Sequence, residues 1–185
     1  MTKLIGISGS LRRGSLNTLL LQAAAQLLPE GVSLEIQTLH DIPLYDADLE
    51  TAQGIPAAVT RLKDLIAAAD GVVLATPEYN NGIPGVFKNA IDWASRPSTD
   101  IRRVFAGRAF ALMGASPGGF GTILSQNAWL PVLRTLRTRP WLEGRLMVSH
   151  ADKIFSASGE LQDEATRKQL RAFMSGFAAF VQASR

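Results

Sequence analysis

Residues 71–77 read GVVLATP, an apolar run that stops at Thr76–Pro77. No polar residue alternates within it, so both faces of the strand it forms are expected to be buried, as in a parallel sheet. Upstream, PAAVTRLKDLIAAAD (56–70) sets Val59, Leu62, Ile66 and Ala69 at helical spacing, with Pro56 suited to a first turn. Downstream, Pro84 opens a second helical stretch, GVFKNAIDWAS (85–95). A buried strand between two helices is the unit of an α/β fold.

The unit recurs along the chain. KLIGIS (3–8) is a short strand, followed by helical LNTLLLQAAAQLL (16–28), which Pro29, Glu30 and Gly31 stop. SLEIQTL (33–39) alternates as a strand and leads into a loop containing Pro43. RAFALMGAS (108–116) is another buried strand. TILSQNAWLPVLRTLR (122–137) is helical, with a kink or break expected at Pro131. RLMVS (145–149) is the last strand, and DEATRKQLRAFMSGFAAFVQ (163–182) is a closing helix with Leu170, Phe173, Phe177 and Phe180 along one face. Alternation of this length requires right-handed crossovers, hence a parallel sheet with helices on both faces. Five strands in 185 residues fit a flavodoxin-like, doubly wound α/β fold: a five-stranded sheet of order 2-1-3-4-5 in three layers. With no repeat, low-complexity tract or linker, residues 1–185 read as a single domain.

Composition narrows the chemistry. The chain has no cysteine and only two histidines, His40 and His150. Disulfides, thiolate metal sites and cysteine nucleophiles are excluded, and no metal site is expected. A formal net charge of +3 comes with no nucleic-acid motif or stacking platform, so no nucleic-acid partner is expected. Trp93, Trp129 and Trp141 read instead as core or subunit contacts. No apolar run approaches the ~20 residues a membrane helix needs. The chain starts directly into a strand without a basic-then-apolar leader, so the expectation is a soluble cytoplasmic protein.

In such a sheet every strand ends on the same edge, and ligands bind there beside the switch point. The loops after strands 1, 3 and 4, neighbours in the order 2-1-3-4-5, are the unusual ones: GSLRRGSLNT (9–18), TPEYNNGIPG (76–85) and GASPGGFGT (114–122). The first is neither a Walker loop nor G-x-G-x-x-G. Its Ser10, Ser15, Asn17 and Thr18 hydroxyls and amide, the charge of Arg12 and a helix N-terminus suit a phosphate dianion. Ser15 or Asn17 can equally cap the helix, and the two roles are compatible. The second loop is poor in titratable groups and presents backbone to a planar, polar-edged ring on which Tyr79 can pack; Glu78 reads as an ordinary turn residue. In the third loop Gly118, Gly119 and Gly121 leave room for something flat. Asp41 reads as a loop residue rather than a ribose ligand.

G-S-L-R-x-x-S-x-N at 9–17 and P-E-Y-N-x-x-x-P-G-x-x-K-N-A-I-D-W at 77–93 resemble the NADPH-dependent FMN reductase family, which includes quinone, azo-dye and chromate reductases. G-A-S at 114–116 falls where that family places its third flavin loop, so the resemblance spans essentially the whole chain. It implies FMN as cofactor and NADPH or NADH as electron donor. It also implies a phosphate site of Ser10, Arg12, Ser15, Asn17 and Thr18. Pro77, Glu78, Tyr79, Asn80 and Gly82 would run along the isoalloxazine, with Ser116, Gly118 and Gly119 on the far side. No catalytic side chain is expected, because the flavin carries the chemistry. The partner that the resemblance implies is a small-molecule electron acceptor (a quinone, azo compound, chromate or free flavin), with a ping-pong cycle expected. The resemblance further implies a homodimer or homotetramer.

Two other readings compete. Gly114-Ala-Ser116-Pro-Gly118 fits the G-x-S-x-G of a serine hydrolase, with Glu143 and His150 following in order. A flavodoxin-type electron carrier would share the fold, but such carriers are acidic and carry a different phosphate loop.

Overall fold

The structure, a computed structural model, describes residues 1–183. Its elements are β1 (Thr2–Ser8), α1 (Leu16–Ala25), β2 (Val32–Gln37), α2 (Ala47–Gln53), α3 (Ala57–Ala68), β3 (Gly71–Ala75), α4 (Gly85–Ala94), α5 (Ile101–Val104), β4 (Ala109–Ala115), α6 (Ile123–Thr135), β5 (Arg139–Pro140), β6 (Leu146–Val148) and α7 (Glu164–Gln182). The sheet is parallel throughout and runs β2-β1-β3-β4-β5, with β6 also on β4.

The expected order holds, but the sheet has six strands rather than five. The fifth position is shared by two short strands: β5 pairs with Ala109 and Phe110 of β4, and β6 with Met113, Gly114 and Ala115. Trp141 N still donates to Phe110 O at 2.7 Å, and residues 142–145 connect the two strands; the Trp141 ring packs against Phe173 and Phe177.

Alternation along the central strands divides the core in two. Ile5, Ile7, Val72, Leu74, Phe110 and Leu112 face α3, α4 and α6, where they meet Leu62, Ile66, Phe87, Ile91, Trp129 and Leu133. Leu4, Val73, Ala75, Ala111 and Met113 face α1 and α7, meeting Leu20, Leu21, Leu170, Phe173 and Phe177. Every residue of β3 and β4 is buried, as GVVLATP predicts. All three tryptophans belong to the core. The stripe of α7 is buried at Phe173 and Phe177, while Phe180 lies partly exposed under the Arg139 guanidinium, 4.4 Å from its ring centre.

Three helical expectations change. The loop after β2 contains α2, none of whose residues is buried; Asp46 starts it by accepting from Asp48 N. Glu50 of α2 accepts hydrogen bonds from Arg96 Nε and the Tyr45 hydroxyl, which anchors this exposed turn to the end of α4. Helix α1 ends at Ala25 rather than Leu28. Helix α6 is unbroken across Pro131, because that residue is exposed and the carbonyl it leaves without a donor can face water. Lys88 and Asp92 pair at 2.7 Å across one turn of α4, an exposed contact worth a few tenths of a kcal/mol. Among the described residues no helix is long and apolar enough to cross a membrane.

One cation is inside. Lys63 of α3 is 3% exposed, bridges to Asp100 at 2.7 Å and donates to the Arg96 carbonyl. The bond from Lys63 holds the Asp100 carboxyl below the ordinary aspartate range, with Arg103 adding to the effect. Lys63→Met is expected to destabilise the protein by about 1–3 kcal/mol, less than for a fully buried pair, because the Asp100 side chain is 30% exposed. A depressed carboxyl stabilises above its unfolded pKa and loses that contribution as pH falls through the folded one. The gap between wild type and variant in thermal melts is therefore largest near pH 7 and shrinks on acidification.

Candidate functional site

The chain leaves β1 at Ser8 and turns into α1 through residues 9–15. Gly9 is required where it stands, since a Cβ there would lie 2.2 Å from the Phe87 ring. Ser10 Oγ accepts from Arg12 N at 3.2 Å, and Ser15 N donates to Arg12 O at 3.1 Å, closing a compact loop. Ser15 is the N-cap of α1, accepting from Thr18 N at 3.3 Å. Its hydroxyl proton stays available, and the amides of Leu16 and Asn17 belong to the first turn, where an α-helix offers no internal acceptor. Arg12 is exposed, and among the described residues it has no carboxylate partner within salt-bridge distance.

Asn17 and Thr18 face elsewhere than expected. Asn17 is 2% exposed, and its side-chain amide clasps Ala115 at both ends: Nδ2 donates to Ala115 O and Oδ1 accepts from Ala115 N, each at 2.9 Å. The physical reason lies in the switch point. Thr76 N donates to Met113 O, so the backbone groups of Ala115, two residues on, point to the same side. There β3 has already turned away at Thr76–Pro77, and the Asn17 carboxamide continues the ladder in its place. Thr18 shares a 2.8 Å hydrogen bond with the hydroxyl of Ser8 and does not line the cleft. Both side chains shape the loop from beneath, and of the two residues only Asn17 borders the cleft.

The second loop is a tight turn. Tyr79 and Gly82 exchange backbone hydrogen bonds of 3.3 and 3.1 Å around Asn80 and Asn81, both at positive φ (50° and 61°). Asparagine tolerates this conformation, which marks a type I′ turn. Tyr79 is 51% exposed, with its hydroxyl 3.4 Å from Ser10 Oγ, across the mouth of the cleft. Glu78 is no idle turn residue: Oε2 accepts from Leu124 N at 2.8 Å and Ser125 N at 3.0 Å. Helix α6 has no side-chain cap of its own at Thr122, so Glu78 caps it from the neighbouring loop. Below this, Thr76 Oγ1 joins Ser125 Oγ and the Trp129 indole at 2.8 and 3.1 Å. Replacing Glu78 by alanine is expected to cost about 1 kcal/mol in chemical denaturation, the worth of a charged cap.

In the third loop Gly114 passes between Thr122 and Thr76; a Cβ would sit 1.9 Å from Thr122 Oγ1. Ser116 N donates to Val148 O, and its hydroxyl donates to Gly121 O at 2.5 Å. Gly118 and Gly119 are exposed, with open space where their side chains would be save for Ser116 and His150 at van der Waals distance. Ser116 therefore lacks a hydrolase's relay: its proton goes to a carbonyl, and no hydrogen bond joins it to His150 among the described residues.

The three loops meet in a cleft of about 100 Å3, lined by Ser10, Arg12, Ser15, Leu16 and Asn17 from the first, Pro77–Tyr79 from the second and Ala115–Pro117 from the third. Pockets that engulf a drug-sized ligand hold about 300–1,000 Å3. A ligand anchored here by an anion would thus lay any ring on the open surface between the second and third loops. Asn80, Gly82, Gly118 and Gly119 stand outside the enclosed part, on that rim. In a larger hollow of about 360 Å3 at Asp70, Arg108 and Arg139, the Arg108 guanidinium is committed to the carbonyls of Val104, Arg103 and Ala69.

His40 touches the first loop. Its Nε2 lies 3.2 Å from Leu11 O and its Nδ1 3.1 Å from Thr38 Oγ1. No local pattern could have shown it, because the contact joins residues 29 apart in the chain.

Comparison with known proteins agrees with this arrangement. Residues 2–153 match the family model of NADPH-dependent FMN reductases. An NAD(P)H-dependent FMN reductase of Pseudomonas aeruginosa is 42% identical over 179 residues, covering 97% of this chain and 95% of its own. A 2-hydroxy-1,4-benzoquinone reductase of Burkholderia is 37% identical, with coverages of 97% and 96%. Among solved structures, a flavoenzyme NAD(P)H:(acceptor) oxidoreductase of Paracoccus denitrificans superposes with a TM-score of 0.86 at 35% identity, covering 100% of this chain and 99% of its own. Neither the hydrolase nor the electron-carrier reading finds support there.

Proposed function

The chain belongs to the NADPH-dependent FMN reductase family, and from that premise we propose that it passes a hydride from NAD(P)H through FMN to a small-molecule acceptor, a quinone foremost. The observation that carries the reading is the meeting of three switch-point loops at the N-terminus of α1, with two serines beside it and an arginine that has no carboxylate partner among the described residues. FMN, when bound, supplies the centre that accepts the hydride and gives it up.

The residues present fit that cofactor. The amides of Leu16 and Asn17, the hydroxyls of Ser10 and Ser15 and the Arg12 guanidinium would hold the phosphate. Thr18 and the Asn17 side chain act from beneath, by fixing the turn. Pro77, Glu78, Tyr79, Asn80 and Gly82 would flank the ring through backbone groups, since the Glu78 carboxylate is committed to α6. Ser116, Gly118 and Gly119 would border the other side. Backbone donors in these loops are pre-set and need no reorganisation, which suits them to a ring that gains negative charge. No side chain in the cleft is required as acid, base or nucleophile.

Donor and acceptor would share the open rim, so that the donor would leave before the acceptor enters. Steady-state rates with NADPH and 1,4-benzoquinone are expected to give parallel double-reciprocal lines; intersecting lines would contradict a shared face. The Burkholderia relative is named for a benzoquinone, which supports the choice of acceptor. The shallowness of the cleft supports a homodimer or homotetramer in which a second copy covers the ring. The reading includes one FMN-binding domain over residues 1–185, working in the cytoplasm, to which the absence of cysteine is suited.

A further inference from the structure

We infer that His40 is a positioning residue for the flavin phosphate, acting through the Leu11–Arg12 peptide; the inference rests on the FMN reading above. That peptide unit is held at both ends. Its N–H, from Arg12, donates to Ser10 Oγ at 3.2 Å. Its oxygen, from Leu11, lies 3.2 Å from His40 Nε2. A carbonyl can only accept, so Nε2 carries the proton, and in the neutral ring Nδ1 accepts from the Thr38 hydroxyl 3.1 Å away.

The consequence is electrostatic. Residues 11–14 form the exposed part of the loop between the buried Ser10 and Ser15, which border the proposed anion seat, and a peptide in such a loop can present either its N–H or its C=O to that seat. Turned inward, the Leu11 oxygen would set a negative dipole end against a dianion. Turned outward, as here, it leaves the seat to N–H, hydroxyl and guanidinium groups. His40 stands on the segment after β2, the strand beside β1, and reaches across to hold the outward orientation. The same segment is fixed at its other end: Pro43 O accepts from Asn89 Nδ2 at 2.8 Å and from Trp93 Nε1 at 2.9 Å, and Tyr45 N donates to Asn89 Oδ1 at 2.8 Å. The imidazole is thus mounted on backbone tied to α4 rather than on a free loop. It has no place in the cleft lining and no direct contact with the phosphate is required of it.

A positioning role predicts a loss confined to the phosphate. Fluorescence titrations with FMN and with riboflavin, together with melts of the flavin-free protein, separate the cases for wild type, His40→Ala and His40→Gln. His40→Ala is expected to weaken FMN about tenfold and leave riboflavin within about twofold, the scale of one lost hydrogen bond plus loop freedom. His40→Gln, which keeps a donor of similar reach, is expected to regain most of that loss, and the flavin-free melting temperatures are expected to coincide. Unchanged FMN affinity in His40→Ala overturns the inference while the FMN reading stands. Equal losses for FMN and riboflavin, or a large fall in the flavin-free melting temperature, also overturn it by showing a general structural role. Wild-type protein that binds neither flavin overturns both readings.

Discussion

Asn17→Ala will lower the melting temperature of the flavin-free protein by about 6–12 °C. The substitution removes two buried hydrogen bonds at once and leaves Ala115 N–H and C=O unpaired inside the molecule. An orphaned buried backbone group costs about 1–3 kcal/mol, so the pair is worth about 3 kcal/mol, and for a chain of this size each kcal/mol is about 2–4 °C. No other side chain of the first loop reaches β4 by a hydrogen bond. Asn17→Asp is at least as damaging at neutral pH, since the carboxylate still accepts from Ala115 N but meets Ala115 O acceptor to acceptor. Thermal unfolding followed by far-ultraviolet circular dichroism checks both. A shift below about 2 °C would mean the ladder at the switch point closes without Asn17.

Arg12→Glu will weaken FMN about 100-fold or more and leave riboflavin nearly unaffected. A hydrogen bond to a charged group is worth about 1.5–3 kcal/mol, and reversal adds repulsion to the loss. Arg12 is exposed with no carboxylate partner among the described residues, so its replacement breaks no ion pair and the folded chain should melt as wild type does. The remaining wild-type FMN affinity should fall with added salt, as for any exposed charge pair. Flavin fluorescence titration reads all of this. Equal losses for FMN and riboflavin would place Arg12 on the ring rather than the phosphate.

What the sequence made legible follows from what each signal measures. Uninterrupted apolar runs disclosed β1, β3 and β4, because burial on both faces leaves no room for polar alternation. The order of these strands places three odd loops on one edge. The edge strand was harder. Arg139–Pro140 is two residues long, with no periodicity to detect, and an excursion of the chain separates it from the strand that reads at 145–149. Helix α2 has no apolar face, and its anchor is the long-range pair of Glu50 with Arg96. Pro131 suggested a break because sequence does not show that its side of α6 faces water.

At the site, the three loops that the residue types single out meet in one cleft, and their side-chain directions were legible only in part. Ser10, Arg12 and Ser15 reach the cleft as expected. Asn17 and Thr18 have the right chemistry for an anion, but their partners, Ala115 and Ser8, are fixed by packing of β4 and β1 against α1. Glu78 reads as a turn residue because the amides that donate to its carboxylate, Leu124 N and Ser125 N, lie on another element. Long-range hydrogen bonds of this kind have no spacing rule, and they are what the sequence alone withholds.

The most direct test is an absorbance spectrum of the purified protein after loading with FMN and removing the excess, then after anaerobic addition of NADPH. Flavin bands that survive the removal and bleach promptly with NADPH or NADH are the predicted result. Bands that remain oxidised with both donors, or a protein that retains no flavin, would contradict it.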